Sequence, residues 1–98
     1  MMSDYLSTLN PTKVATAIEN VRVSVNPHVV QLREYAGGDL RFATWWLMVD
    51  RACMRKIGLT THDIADYTWR DAYDDGMSPS DALADALASD DIYSMMGE

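Results

Sequence analysis

Basic residues are few in this sequence, and their placement matters more than their number. The 98 residues hold 8 Lys and Arg against 15 Asp and Glu, a formal net charge of −7. Cysteine is nearly missing. The lone Cys53 cannot close an internal disulfide, which fits a reducing compartment. No long apolar run exists either: Trp45-Trp46-Leu47-Met48-Val49 is far short of the roughly 20 residues that span a bilayer. The opening Met1-Met2-Ser3-Asp4-Tyr5 puts no basic stretch ahead of an apolar one, so no secretory signal is read and a cytoplasmic protein is expected. Glycine forms no phosphate-cradling loop, since Gly37-Gly38 reads as a helix break, and no G-x-S-x-G surrounds Ser78 or Ser80.

A 48% apolar fraction calls for a real core. A chain this short makes one domain over residues 1–98. Its charge is polarised. Residues 1–57 carry seven bases against five acids, a net of +2, whereas residues 58–98 carry ten acids and only Arg70, a net of −9. Such a half repels phosphate backbones and anionic lipid, so neither nucleic acid nor membrane is expected as the partner.

The apolar spacing predicts a mostly α, compact single-domain bundle of four or five helices. Asn10-Pro11 and Asn26-Pro27 each pair an N-capping residue with a proline at the first helical position, where its missing N–H costs nothing. Val14, Ala17, Ile18 and Val21 then recur at helical spacing. Between Val21 and Tyr35 the alternation Val21-Val23-Val25 leaves an α+β alternative open, with a small N-terminal β-hairpin turning at Asn26-Pro27. Helix is preferred because β-branched residues thin out after Val30. Asp39 caps the clearest helix, Leu40 to Ile57, on which Phe42, Trp46, Val49, Cys53 and Ile57 form a continuous face. Trp45 and Met48 widen that face until little more than Asp50, Arg51, Arg55 and Lys56 is left for solvent, as befits the central helix of a domain. Gly58 stops it. A hydroxyl-to-carboxylate box at Thr60–Asp63 suggests another helix carrying Ile64, Tyr67, Trp69, Ala72 and Tyr73 to Gly76, with Arg70 bracketed by Asp66 and Asp74. Ser78-Pro79 starts the last helix, whose stripe is Ala82, Leu83, Ala86 and Leu87. Residues 1–38 thus form an N-terminal segment, 39–88 a helical module and 89–98 a tail.

No chemistry assembles from these parts. Aligning Gly76 with the sixth place of a calcium loop leaves Tyr73 at the third and Ala82 at the twelfth, where ligands are required. His62, Asp63 and Asp66 do not share a helical face, and His28 is distant, so no metal site is expected. Cys53 lies on the apolar stripe as a core thiol rather than a nucleophile. The last two helices could pass for a helix-turn-helix, but the second holds Asp81 and Asp85 and no base to meet phosphate. No enzyme, cofactor or catalytic residue is read.

The segment Phe42-x-x-Trp45 to Val49-Asp50, then Gly58-Leu59-Thr60, Asp63-Ile64-Ala65-Asp66, Trp69-Arg70-Asp71-Ala72-Tyr73-Asp74-Asp75-Gly76-Met77-Ser78-Pro79 and Asp81-Ala82 resembles a small uncharacterised family of bacteriophages, notably those of actinobacteria. That resemblance implies phage origin and no established activity. It points to a non-enzymatic accessory protein that binds a host protein in the host cytoplasm. The expected contact is the acidic helical surface, with Asp63, Asp71, Asp74, Asp75, Asp81 and Asp85 facing a basic partner. Trp45 is a further contact candidate, because two adjacent tryptophans lie about 100° apart on a helix and both are buried only if it is nearly enclosed. Two alternatives stand beside this reading: a DNA mimic that blocks a host DNA-binding protein, and a structural or virion-related protein that forms a homodimer sealed by Trp45 or Trp46.

Overall fold

The computed structural model describes residues 4–64 and 67–89. They form five α-helices, α1 (Pro11–Val23), α2 (Pro27–Tyr35), α3 (Leu40–Ile57), α4 (Trp69–Asp74) and α5 (Pro79–Ser89), and two 3-10 turns, Tyr5–Thr8 and Thr61–Asp63. No strand forms among the described residues, so the segment from Val21 to Tyr35 is the end of α1, a short link and α2 rather than a hairpin.

The helix starts follow from their caps. The Asn10 side chain accepts from the Thr12 and Lys13 amides at 3.0 and 3.2 Å, and Asn26 accepts from the His28 amide at 2.9 Å. Arg33 ends α1 from a distance: its guanidinium donates to the carbonyls of Val21, Arg22 and Ser24 at 2.6, 2.9 and 2.8 Å. Those carbonyls have no intrahelical partner, so one side chain of α2 both closes α1 and holds the two helices together.

Helix α3 is the axle of the molecule and touches every other helix. Asp39 caps it by accepting from the Phe42 amide at 3.1 Å, and Gly58 closes it in the left-handed conformation at φ +71°. Trp45, Val49 and Cys53 are fully enclosed, with Phe42 and Ala43 close behind. Ala82, Leu83, Ala86 and Leu87 of α5 cover one side of it, and α1 and α2 bring Val14, Val21 and Leu32 to the core on the other. The first 3-10 turn is pinned at Asp4, which accepts from Arg41 at 2.8 and 2.9 Å and from the Tyr73 hydroxyl at 2.7 Å.

Two expectations change. Thr60 and Asp63 do form a reciprocal capping box, but it opens a three-residue 3-10 turn, and the α-helix begins only at Trp69. Tyr67 and Trp69 lie two positions apart, a spacing that cannot share one helical face, and a tight turn at Thr68, in which the Trp69 amide donates to the Tyr67 carbonyl at 2.8 Å, brings their rings together edge-on. Arg70 pairs with Asp74 at 3.3 Å and with Asp39 at 2.8 Å, while the expected Asp66 partner lies outside the described residues, as does the tail beyond Ser89. Asp50, read as solvent-facing, is instead 3% exposed. Among the described residues no helix is long and apolar enough to cross a membrane.

Candidate functional site

The predicted acidic residues separate into two groups. Asp63 serves the Thr60 box, accepting from the Thr60 amide and hydroxyl at 3.0 and 3.1 Å, and those bonds hold its carboxyl below the usual range. Asp71 and Asp74 on α4, Asp75 just after it, and Asp81 and Asp85 on α5 are all exposed. Asp81 and Asp85 are one helical turn apart and so share a face of α5. The Tyr67 hydroxyl donates to Asp85 and lies within the field of Asp75. Burial, that bond and the field of Asp75 push the Tyr67 phenol up to about 12, because each disfavours a second negative charge there.

Trp45 must be withdrawn as a contact residue. It is 0% exposed, its indole N–H donates to the Met77 carbonyl at 3.0 Å, and its ring packs on Phe42 and Tyr73. The neighbouring Trp46 is the tryptophan that reaches a surface. With Tyr35, Tyr67, Trp69 and His62 it walls a groove of about 440 Å³ between α2, α3 and the Thr61–Asp63 turn. A second opening of about 290 Å³ shares Tyr35, Trp46, Tyr67 and Trp69 and runs on past Phe42 to Arg70 and Asp71. The His62 ring lies 5.0 Å from Tyr35 and 5.8 Å from Trp46, and Tyr67 meets Trp69 edge-on at 4.6 Å.

A buried polar relay fixes this wall. One oxygen of Asp50 bonds His28 Nε2 at 2.7 Å, and the other accepts from the Thr61 amide at 2.9 Å and from its hydroxyl. Thr61 Oγ1 in turn accepts from the Trp46 indole N–H at 2.9 Å. The relay ties α2, α3 and the 3-10 turn into one unit and sets the pose of the Trp46 ring. Sequence reasoning missed it, reading Asp50 as solvent-facing and His28 only as too distant for a metal site. One signal was present: a carboxylate four residues after Trp46, on a helix otherwise apolar around most of its girth, is a candidate for burial with partners. Among the described residues no three His, Cys, Asp or Glu side chains come together to hold a metal ion.

One central helix flanked by four others, with an open aromatic groove and exposed carboxylates on α4 and α5, defines a small all-α domain. The chain belongs to the DUF5419 family, a family of unknown function, whose pattern matches residues 41–90. Its relatives include the Gene 87 protein of Mycobacterium phage L5, 42% identical over 48 residues that make up 49% of this chain and 91% of the relative. The Gene 87 protein of Mycobacterium phage D29 is 35% identical over 51 residues, 52% of this chain and 94% of the relative. No solved structure matches. The matched segment runs from the first turn of α3 through α5, so Trp46, His62, Tyr67, Trp69 and the exposed carboxylates lie within it. Tyr35 and His28, both on α2, lie before it.

Proposed function

We propose that this protein is a phage accessory protein that binds a host protein, without catalysis, through the acidic surface of α4 and α5. The observation that carries this reading is the exposure of Asp71, Asp74, Asp75, Asp81 and Asp85 on two successive helices whose single base, Arg70, is already held by Asp39 and Asp74. Carboxylates so placed attract a basic protein surface and repel phosphate. The kinship with mycobacteriophage proteins supports a phage setting and directs the search to a mycobacterial cytoplasm.

Affinity capture from mycobacterial lysate tests it, comparing the natural chain with a fourfold Asp→Lys variant at Asp74, Asp75, Asp81 and Asp85. A host protein retained at low salt, released at high salt and lost by the variant is the expected result, because exposed charge pairs are screened beyond about 8 Å at physiological ionic strength. A partner held equally by both chains at every salt concentration would overturn the acidic surface. Should the captured protein bind DNA, displacement by duplex DNA would favour mimicry over docking elsewhere on that protein.

A further inference from the structure

We propose that the aromatic groove is a receptor slot for an arginine side chain of the partner, with the guanidinium lying against the rings of Tyr35, Trp46 and Tyr67 and forking onto Asp71. This deepens the proposed binding of a basic partner and rests on that reading for its biological setting.

The chemistry of the walls selects the occupant. Ring faces carry negative charge density and attract a cation, most strongly at tryptophan, and a planar guanidinium also stacks on them where a compact ammonium cannot. The slot is open to a partner: Tyr35 is 59% exposed, and Trp46 and Tyr67 are half-buried at its edge. Its far end holds an exposed carboxylate, Asp71, which matches the two parallel N–H groups of a guanidinium. Tyr67, which lines the slot, donates to Asp85 and lies in the field of Asp75, so the acidic surface reaches the slot's wall.

The molecule already contains one copy of this arrangement. The Arg70 guanidinium lies 5.1 Å from the Phe42 ring centre and 5.5 Å from that of Tyr73, flanked by Asp39 and Asp74. Arg70 lines the same opening beside Asp71, and those two carboxylates offset its charge, which leaves Asp71 to meet a second cation. A nucleobase would stack on the same rings, but its phosphate would face Asp71, Asp75 and Asp85.

The full chain can be titrated with the capped tripeptide acetyl-Gly-Arg-Gly-amide while the indole N–H signals of Trp46 and Trp69 are followed by NMR. Its citrulline counterpart, of the same shape but uncharged, is the control. The expected result is a saturable shift with arginine and little with citrulline. Tyr35→Ala should weaken binding roughly three- to fivefold. Because Tyr35 is exposed, that variant keeps the fold, and Tyr35→Phe should restore binding. Asp71→Asn should weaken arginine binding and leave the citrulline response unchanged. Equal responses to the two peptides, a stronger response to adenosine monophosphate, or an arginine response indifferent to Tyr35→Ala would each overturn the slot. The tripeptide needs no host protein, so failure here leaves the acidic-surface reading standing, and failure of lysate capture leaves the slot standing.

Discussion

Asp50 sits one turn after Trp46 with both carboxylate oxygens engaged, one by His28 and the other by Thr61. Removing it strands buried donors whose only partner was this group, and an unsatisfied buried polar group costs about 1–3 kcal/mol. Asp50→Ala should therefore lower the urea midpoint by the equivalent of about 2 kcal/mol or more, and the emission of Trp46 should shift as its anchor Thr61 loosens. Ionisable groups make a second prediction at this scale. The Arg41 guanidinium holds the Asp4 carboxyl well below its ordinary value of 3.8, against a smaller opposing effect of burial. A depressed carboxyl stabilises the fold above the unfolded pKa and loses that contribution as pH falls through and below about 4. Burial first, and the Asp4 bond next, push the Tyr73 phenol from 10.0 up to about 12. A raised phenol contributes fully below pH 10 and loses that contribution as pH climbs towards 12. Thermal melts across pH should thus fall at both ends, with Asp4→Asn flattening the acid limb and Tyr73→Phe the alkaline one.

At the scale of elements, each helix start rests on one or two named bonds. Asn26→Ala removes the acceptor of the His28 amide and should cost about 1 kcal/mol in urea unfolding. It should also slacken the Trp46 pose, because His28 enters the relay from the first turn of α2. At Gly58 no atom lies within 4 Å of an added Cβ, so Gly58→Ala meets no clash. Its penalty is the left-handed backbone at φ +71° alone, about 1 kcal/mol by the same measurement. Four of the five helices were legible from such signals, since Asn-Pro, Asp39, Gly58 and Ser78-Pro79 act through local bonds that need no tertiary context. Helix α4 was not. A capping box satisfies the same two amides whether a 3-10 turn or an α-helix follows it, so Thr60–Asp63 could not reveal which.

For the whole molecule, the decisive arrangement is the enclosure of α3. Trp45 joins α3 to α4 through Tyr73 and to the start of α5 through the Met77 carbonyl. Truncating a buried tryptophan costs about 3–5 kcal/mol, a large share of the roughly 5–15 kcal/mol that holds a small domain folded. Trp45→Ala should therefore lose cooperative unfolding and near-ultraviolet dichroism, whereas Tyr35→Ala should preserve both. A dimer sealed by Trp45 is incompatible with its enclosure. Trp46 is the tryptophan a partner can reach.

Taken alone, the sequence determined the helical class, most helix boundaries, the enclosed central helix and the split of charge into a near-neutral half and an acidic one. All of these depend on periodicity, caps and composition, which act between residues close in the chain. Tertiary structure alone decided which tryptophan is buried, that Asp50 turns inward to His28 and Thr61, and that Tyr35 meets Trp46, Tyr67 and Trp69 in one groove. Each of those facts requires elements that the chain separates to approach one another in space. Adjacent tryptophans on a helix are equivalent by spacing, and only the position of α4 and α5 places Trp45 inside and leaves Trp46 at the groove.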